Sequence, residues 1–368
     1  MTGEASVSAD SAAPRAMSSG SLEQAVRNLG ASDKTLEGLV ELLRSYERTV
    51  ERGTGFNVRE EVTGPILDAA VGHGRTMSKT LENGLKFSFH YTSKILRDFL
   101  MSDEPNPDHV WEPQTTRTLL ELTKNARNIV IGGAYIGDHA VPVANQICDS
   151  GVVHCFELSE DNISLLRKNA DDNGLGNVEV NRLGLWSVSN ARLRLWGDDS
   201  HASPQIAEED GEGVFDTVTI DGYCEERGLS QLDLIMLDIE GGELEAMRGA
   251  RHHLSLPPAN APVVIFEVHR SYVDWSNGLA ETEIIRLLRD SGYAVYAIRD
   301  YQSNVSMKDR MVELVELDDI YLEGPPHGFN MLATKRPDEL DPNVFKKIRG
   351  VSPKLMFHRS PDLHAPIA

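Results

Sequence analysis

The strongest constraint on what this chain can fold into is a repeated alternation through its middle. Short apolar runs at residues 128–133, 152–158, 178–183, 232–239, 263–268 and 294–298 are separated, in most cases, by segments of helical period at 138–149, 160–173, 243–254 and 281–291. The runs are continuously apolar rather than alternating, which is the pattern of parallel strands covered by helices on both faces. A strand–helix–strand order of this kind predicts an α/β protein with a doubly wound, mostly parallel sheet.

At 368 residues the chain exceeds one average domain, so one main domain with appended elements is expected. Residues 1–20 are rich in Ser, Ala and Gly and carry no aromatic residue, and they read as a flexible tail. From 21 to 110 the texture is helical. Leu36, Leu39, Val40, Leu43, Tyr46 and Val50 recur on one helix face, with Ser32 as N-cap and Gly53 as stop, and a second helical stretch is expected over 78–101. This region is read as a lid or a dimerisation element, so a homodimer through the N-terminal helices is an expected partner state. Residues 102–114 carry three prolines and read as a linker or entry loop. The sheet domain is placed at 111–336, with a polar, proline-punctuated tail at 337–368. Within the domain, 197–216 holds seven acids and no Lys or Arg and reads as an exposed loop.

Charge narrows the partners. With 36 Lys and Arg against 57 Asp and Glu, the formal net charge is −21, a field that repels nucleic-acid phosphates. The longest apolar stretch, around 129–136, holds two glycines and stops at Asp138, so no membrane span is expected. Cys148, Cys155 and Cys224 show no C-x-x-C spacing, and no basic segment followed by an apolar run opens the chain. Both features fit a reducing, cytoplasmic location.

The first strand runs into a glycine turn, I-V-I-G-G-A-Y-I-G, in which Gly133, Ala134 and Gly137 give G-A-x-x-G. In a doubly wound sheet this is where a ligand sits, outside the carboxyl ends of the strands. The second strand ends at Glu157, 24 residues after Gly133, where an acid can accept hydrogen bonds from two ribose hydroxyls. The pair predicts a nucleoside cofactor, either NAD or S-adenosylmethionine. Further along, L-I-M-L-D-I-E-G-G-E supplies Asp238, Glu240 and Glu243, and V-V-I-F-E-V-H-R supplies Glu267 and His269. Period two puts Asp238 with Glu240, and Glu267 with His269, on common sides of two strands. Glu243 reads more simply as the first acid of the next helix. If the strands are neighbours, the remaining groups converge on the cofactor edge, an arrangement suited to a general base, a divalent metal, or both.

These residues resemble the FkbM-type S-adenosylmethionine-dependent methyltransferases over about residues 110–300. The resemblance rests on GGAYIG at 132–137, FELSEDNISLLRKNADDNG at 156–174, LDLIMLDIEGGELEAMRGA at 232–250 and IFEVH at 265–269. It implies a class I methyltransferase, Rossmann-like sheet and methyl transfer to a hydroxyl of a small sugar- or polyketide-type acceptor. It also implies S-adenosylmethionine as cofactor, with Gly133, Ala134, Tyr135, Gly137, Glu157 and Asp238 around it and Gly133 and Gly137 at its methionine end. His269 is nominated as the base, then Asp238, with Glu267 orienting His269; Asp238, Glu267 and His269 are the expected ligands should Mg²⁺ take part. Two positions depart from the family: Ile131 stands where an acid is usual, and Met236 where a lysine is common. An NAD-dependent oxidoreductase and a non-catalytic binding protein on the same fold are the alternatives.

Overall fold

Nine strands form the central sheet, here numbered in chain order: β1 (Asn128–Gly132), β2 (Val152–Phe156), β3 (Val178–Asn181), β4 (Leu234–Leu237), β5 (Val263–His269), β6 (Ala294–Ile298), β7 (Val312–Glu316), β8 (Gly328–Thr334) and β9 (Phe345–Ile348). The structure is a computed structural model that describes residues 19–50, 55–148, 150–196, 203–206, 211, 213–322 and 327–367. The expected tail at 1–20 therefore lies outside the described residues except for its last two, which start the helix Ser19–Leu29. Most acids of 197–216 lie outside them as well, while Asp216 sits in a strand, Val214–Val218, of a small separate sheet.

Across the sheet the order is 3-2-1-4-5-8-6-7-9. β1 to β5 run parallel to one another. β8 is inserted antiparallel between β5 and β6. The sequence expectation of a doubly wound, mostly parallel sheet thus holds, with the order reversing at β1 and its switch point between β1 and β4. Alternate strand residues feed two cores. Ile129, Ile131, Met236 and Ile265 pack on one face with Val141 and Leu166. Val130, Ile235, Leu237 and Phe266 pack on the other with Tyr223, Met247 and Ile285.

Ser32 caps the helix Asp33–Thr49, accepting the Thr35 amide, and Leu36, Leu39, Val40 and Leu43 are its buried face. The helix expected over 78–101 is not formed. Its first half is part of a β-hairpin pairing Thr76–Thr80 with Lys86–His90, and only Lys94–Leu100 is helical. The physical reason lies in Asn83–Gly84, which turns the chain with Gly84 at φ +91°, and in Phe87 and Phe89, both fully buried two residues apart. Two asparagines on the helix Glu160–Asp172 and its C-cap pair with this hairpin as a strand would. Asn169 bonds both the N–H and the C=O of Ser88 (2.7 and 3.1 Å), and Asn173 both those of Lys86 (2.8 Å each).

The segment 337–368, expected as a tail, is also built in. β9 pairs parallel with β7, and Arg299, fully buried, donates to Glu313 Oε2 (3.0 Å) and to the carbonyls of Ser352 and Leu363 (2.9 and 2.8 Å). Buried backbone and charge satisfaction, which composition does not display, fix this segment in place.

Candidate active site

β1 ends at Gly132 and the chain turns through residues 133–139 into the helix Ala140–Gln146. Gly133 has φ +73°, and a Cβ there would run into the Asp238 carbonyl oxygen, so the turn and the end of β4 meet backbone to backbone. The Gly133 and Ala134 amides donate to the Phe156 carbonyl (2.9 and 3.1 Å), which ties the turn to β2. The Tyr135 amide donates to Glu157 Oε2 (2.9 Å), and those of Leu158 and Ser159 donate to Oε1 (2.8 and 2.9 Å). Desolvation raises the Glu157 pKa, and these amides oppose that rise. The acid is thereby fixed in orientation at the rim of a cleft of about 190 Å³, beside Phe156, Leu158 and Leu183.

On the other side of Gly133 the acids gather. β4 and β5 are adjacent, with Leu237 opposite Phe266. Beyond Leu237 strand geometry ends, because Glu240 is left-handed at φ +53° and Gly241 follows at +106°. Buried Glu243 closes this turn by accepting the Ile239 amide at Oε1 (2.8 Å) and the Gly241 amide at Oε2 (3.0 Å). Carboxylate oxygens of Asp238, Glu240 and Glu267 come within 4.8 Å of one another, a set that could hold a divalent cation. The Tyr272 hydroxyl donates to Glu240 Oε2 (2.8 Å). Desolvation and then neighbouring carboxylates push the pKa values of Asp238 and Glu267 well above the usual range.

His269 shares a face of β5 with Glu267. Its Nδ1 accepts the Ser271 amide (3.1 Å), and its ring centre lies 5.4 Å from that of Tyr272. Opposite His269 stands Gly328, where a Cβ would press on the Glu267 carboxylate and the His269 ring, so the bare backbone of β8 makes room for both side chains.

A second charged group, not singled out from the sequence, borders the same cleft. His139 Nε2 faces Glu112 Oε2 (3.6 Å) and Asp138 Oδ2 (3.8 Å). The Thr116 hydroxyl, 3.2 Å from His139 Nδ1, spends its proton on the Trp111 carbonyl (2.9 Å) and so accepts from Nδ1–H. Burial alone would lower the imidazole pKa, but Asp138, Glu112 and Asp238 outweigh it and push it up to about 9. Glu112, at φ +48° before the helix Pro113–Leu122, accepts from Asn330 Nδ2 of β8 (2.5 Å). The available sequence signals were the Glu112–Pro113 helix start, inside what was read as a linker, and the place of Asp138 and His139 directly after Gly137.

Of the residues selected from sequence, Gly133, Tyr135, Glu157 and Asp238 line the cleft, together with Ile95, Trp111, Asp138 and His139, which were not selected. Ala134 is buried behind the turn, and Gly137 packs against Leu166 and Val141. Glu267 and His269 stand on β5, outside the lining, with Glu267 within the three-carboxylate set and His269 not in it. Ile131 and Met236 are core residues of the sheet. A larger cavity of about 310 Å³, bordered by Glu47, Arg59, Ser303 and Met356, lies away from the glycine turn. No described helix is long and apolar enough to cross a membrane.

Residues 132–295 match the family model of the methyltransferase FkbM domain. No curated protein matches the chain. Among solved structures it is similar to the methyltransferase FkbM of Methylobacillus flagellatus, at 17% identity, TM-score 0.33, covering 56% of this chain and 43% of that one. It is also similar to the precorrin-6y C5,15-methyltransferase of Geobacter metallireducens, at 12% identity, TM-score 0.32, covering 60% and 89%. A third is an rRNA methylase of Streptococcus thermophilus, at 11% identity, TM-score 0.32, covering 60% and 94%. The family match spans the glycine turn, Glu157, Asp238 and Glu267, so the cleft and its acids fall within the part of the chain, residues 132–295, that is similar to the methyltransferase FkbM domain.

Proposed function

We propose that the protein transfers the methyl group of S-adenosylmethionine to a hydroxyl oxygen of a small sugar- or polyketide-type acceptor. The observation that carries this reading is one cleft with Glu157, held by three amides, on one side of Gly133 and Asp238, crowded by carboxylates, on the other. The residues fit the cofactor's chemistry. Glu157 offers a fixed acceptor to ribose hydroxyls, and Phe156, Leu158 and Leu183 offer apolar surface to the base. The acids favour a cationic sulfonium.

When bound, S-adenosylmethionine would supply a methyl already activated by its sulfonium, the C–O bond forming as the S–CH₃ bond breaks. What remains for the protein is alignment, worth ~7–11 kcal/mol, and removal of the hydroxyl proton, worth about 10²–10⁴-fold. Asp238 borders the cleft and takes that proton at its carboxylate; its raised pKa makes it a stronger base than an ordinary Asp. His269, the first nominee from sequence, stands outside the cleft lining with Nδ1 bonded to its own loop and its ring beside Tyr272, so it is ranked after Asp238 in this reading. Should a divalent cation such as Mg²⁺ take part, Asp238, Glu240 and Glu267 would hold it, with Glu240 in the place expected for His269, and transfer with and without EDTA tests this. Pairing of two copies would use the first two helices, and the exposure of Leu22, Leu29, Leu42 and Tyr46 there supports this; sedimentation equilibrium tests it.

Calorimetric titration with S-adenosylmethionine and S-adenosylhomocysteine, with NAD as control, is the first test. Micromolar binding of the sulfur nucleosides and none of NAD is expected, followed by labelled methyl transfer to hydroxylated acceptors. Binding of NAD alone, or of neither, refutes the reading.

A further inference from the structure

The cleft has a wall that residues 132–295 do not supply. Ile95 and Trp111 line it beside Glu157, Asp238 and Glu240, and both precede the part of the chain that matches the family model. Ile95 belongs to the helix Lys94–Leu100, and Trp111 to the approach to the helix Pro113–Leu122. The neighbour of Trp111 fixes its place. Glu112 accepts from Asn330 of β8, which lies on the flank of β1 that also holds β4, whereas Glu157 ends β2 on the opposite flank. Trp111 therefore stands on the side of Asp238, away from the acid assigned to the ribose.

Trp111 is anchored through its backbone. Its carbonyl accepts the Thr116 hydroxyl (2.9 Å), while its indole N–H has no partner among the described residues and its half-buried side chain borders the cleft. A Trp in such a setting commonly gives its N–H to a partner. A flat apolar face with a free donor at its edge fits the C–H face of a saturated ring that carries hydroxyls. Glu240 supplies the polar counterpart. It lines the same cleft from a left-handed turn, and the Tyr272 hydroxyl donates to its Oε2 (2.8 Å), which orients the carboxylate as an acceptor for hydroxyl groups.

Charge limits what else the ring can carry. Among the described residues no Lys or Arg lines the cleft, and the imidazole of His139 is spent on Thr116, Glu112 and Asp138. The acids Asp138, Glu157, Asp238 and Glu240 all border it. Such a lining repels a phosphate or a carboxylate and offers it no cation to pair with.

Resting on the methyltransferase reading above, we propose that the region ahead of residue 132 completes the acceptor subsite, with Trp111 as stacking platform and Glu240 as hydroxyl acceptor. The acceptor is a hydroxylated saturated ring without phosphate or carboxylate, and Ile95 adds to the apolar side that its C–H face meets.

The test uses the full chain, labelled S-adenosylmethionine and a panel of neutral rings, methyl pyranosides and polyhydroxylated macrolactones, with the uronic acid and 6-phosphate of each pyranoside. Neutral rings are expected to exceed their anionic counterparts about 10-fold or more in kcat/KM. Trp111→Ala is expected to raise the KM of the best neutral acceptor about 10-fold and to leave the Kd for S-adenosylhomocysteine within about twofold. Trp111→Phe, which keeps a ring without the N–H, should fall between. Melting curves establish that each variant is folded, and the panel itself needs no variant. Anionic rings methylated as well as neutral ones, or no ring methylated by a chain that binds S-adenosylhomocysteine, overturns the acceptor class. An unchanged acceptor KM in folded Trp111→Ala, or equal weakening of S-adenosylhomocysteine, overturns the subsite. Failure of the unsubstituted protein to bind S-adenosylhomocysteine overturns the methyltransferase reading instead.

Discussion

Replacing Asp238 by Asn should separate activity from stability in opposite directions. The carboxylate is placed to take the acceptor proton, so its removal is expected to slow transfer about 10²–10⁴-fold, which corresponds to roughly 2.7–5.5 kcal/mol. The same carboxylate is strained electrostatically. Desolvation, followed by the charges of Glu112, Glu240 and Glu243, raises its pKa well above that of an ordinary Asp. An acid whose pKa is raised by folding keeps its proton in the folded chain after the unfolded chain has released it, so wild-type stability falls as pH rises above the unfolded value. Asn carries no such penalty. The variant should melt with the wild type near pH 4 and above it at pH 8, by roughly 2–4 °C for each 1 kcal/mol relieved. The wild-type rate of transfer should climb with pH as Asp238 ionises, and the residual rate of the variant should not. The assay is labelled methyl transfer at saturating cofactor across pH 5–9, beside melting curves at the same pH values. Wild-type transfer by the variant would show that Asp238 is not the base, and a stability difference that shrinks with rising pH would show that it is not a crowded acid.

Other substitutions probe the same architecture. Gly133→Ala sets a Cβ against the Asp238 carbonyl at φ +73°; strain of about 1–2 kcal/mol from the left-handed conformation adds to the clash, and calorimetry should show S-adenosylhomocysteine binding lost. Gly328→Ala pushes on Glu267 and His269 from β8, so the transfer rate should drop while the Kd for S-adenosylhomocysteine holds; an unchanged rate removes both residues from the reaction. Arg299→Leu leaves Glu313 buried without its cation and should cost about 3–5 kcal/mol, read as a lower urea midpoint at unchanged slope.

The sheet was legible because its strands are continuously apolar and bounded by helices of clear period, and all six expected strands lie in it. Glu157 and Asp238 were legible because a strand end is a position that sequence can mark. Asp238 and Glu240 meet Glu267 as the neighbouring strands led one to expect, but Glu240 does so from a left-handed turn beyond Leu237 rather than from strand geometry, and His269, paired with Glu267 by alternation, is not in the set. Glu112 and His139 were hidden for another reason: their meeting depends on residues 112, 139 and 330 being brought together by the fold, which no local pattern encodes. Between Ser78 and Met101 the leucines imitate a helix face, and the alternation of Phe87 with Phe89 is what tertiary packing rewarded.

The asparagine pairing of the hairpin has a consequence for solubility. A two-stranded hairpin presents two open edges, each a template for pairing with another chain. Along Lys86–His90 that template is occupied, since Asn169 and Asn173 answer the N–H and C=O of both Ser88 and Lys86. Asn169 also donates to the Ile136 carbonyl within the glycine turn (2.9 Å). One side chain therefore guards an aggregation-prone edge and braces the loop beneath the cofactor cleft, so damage at Asn169 would surface as self-association and weakened ligand binding together.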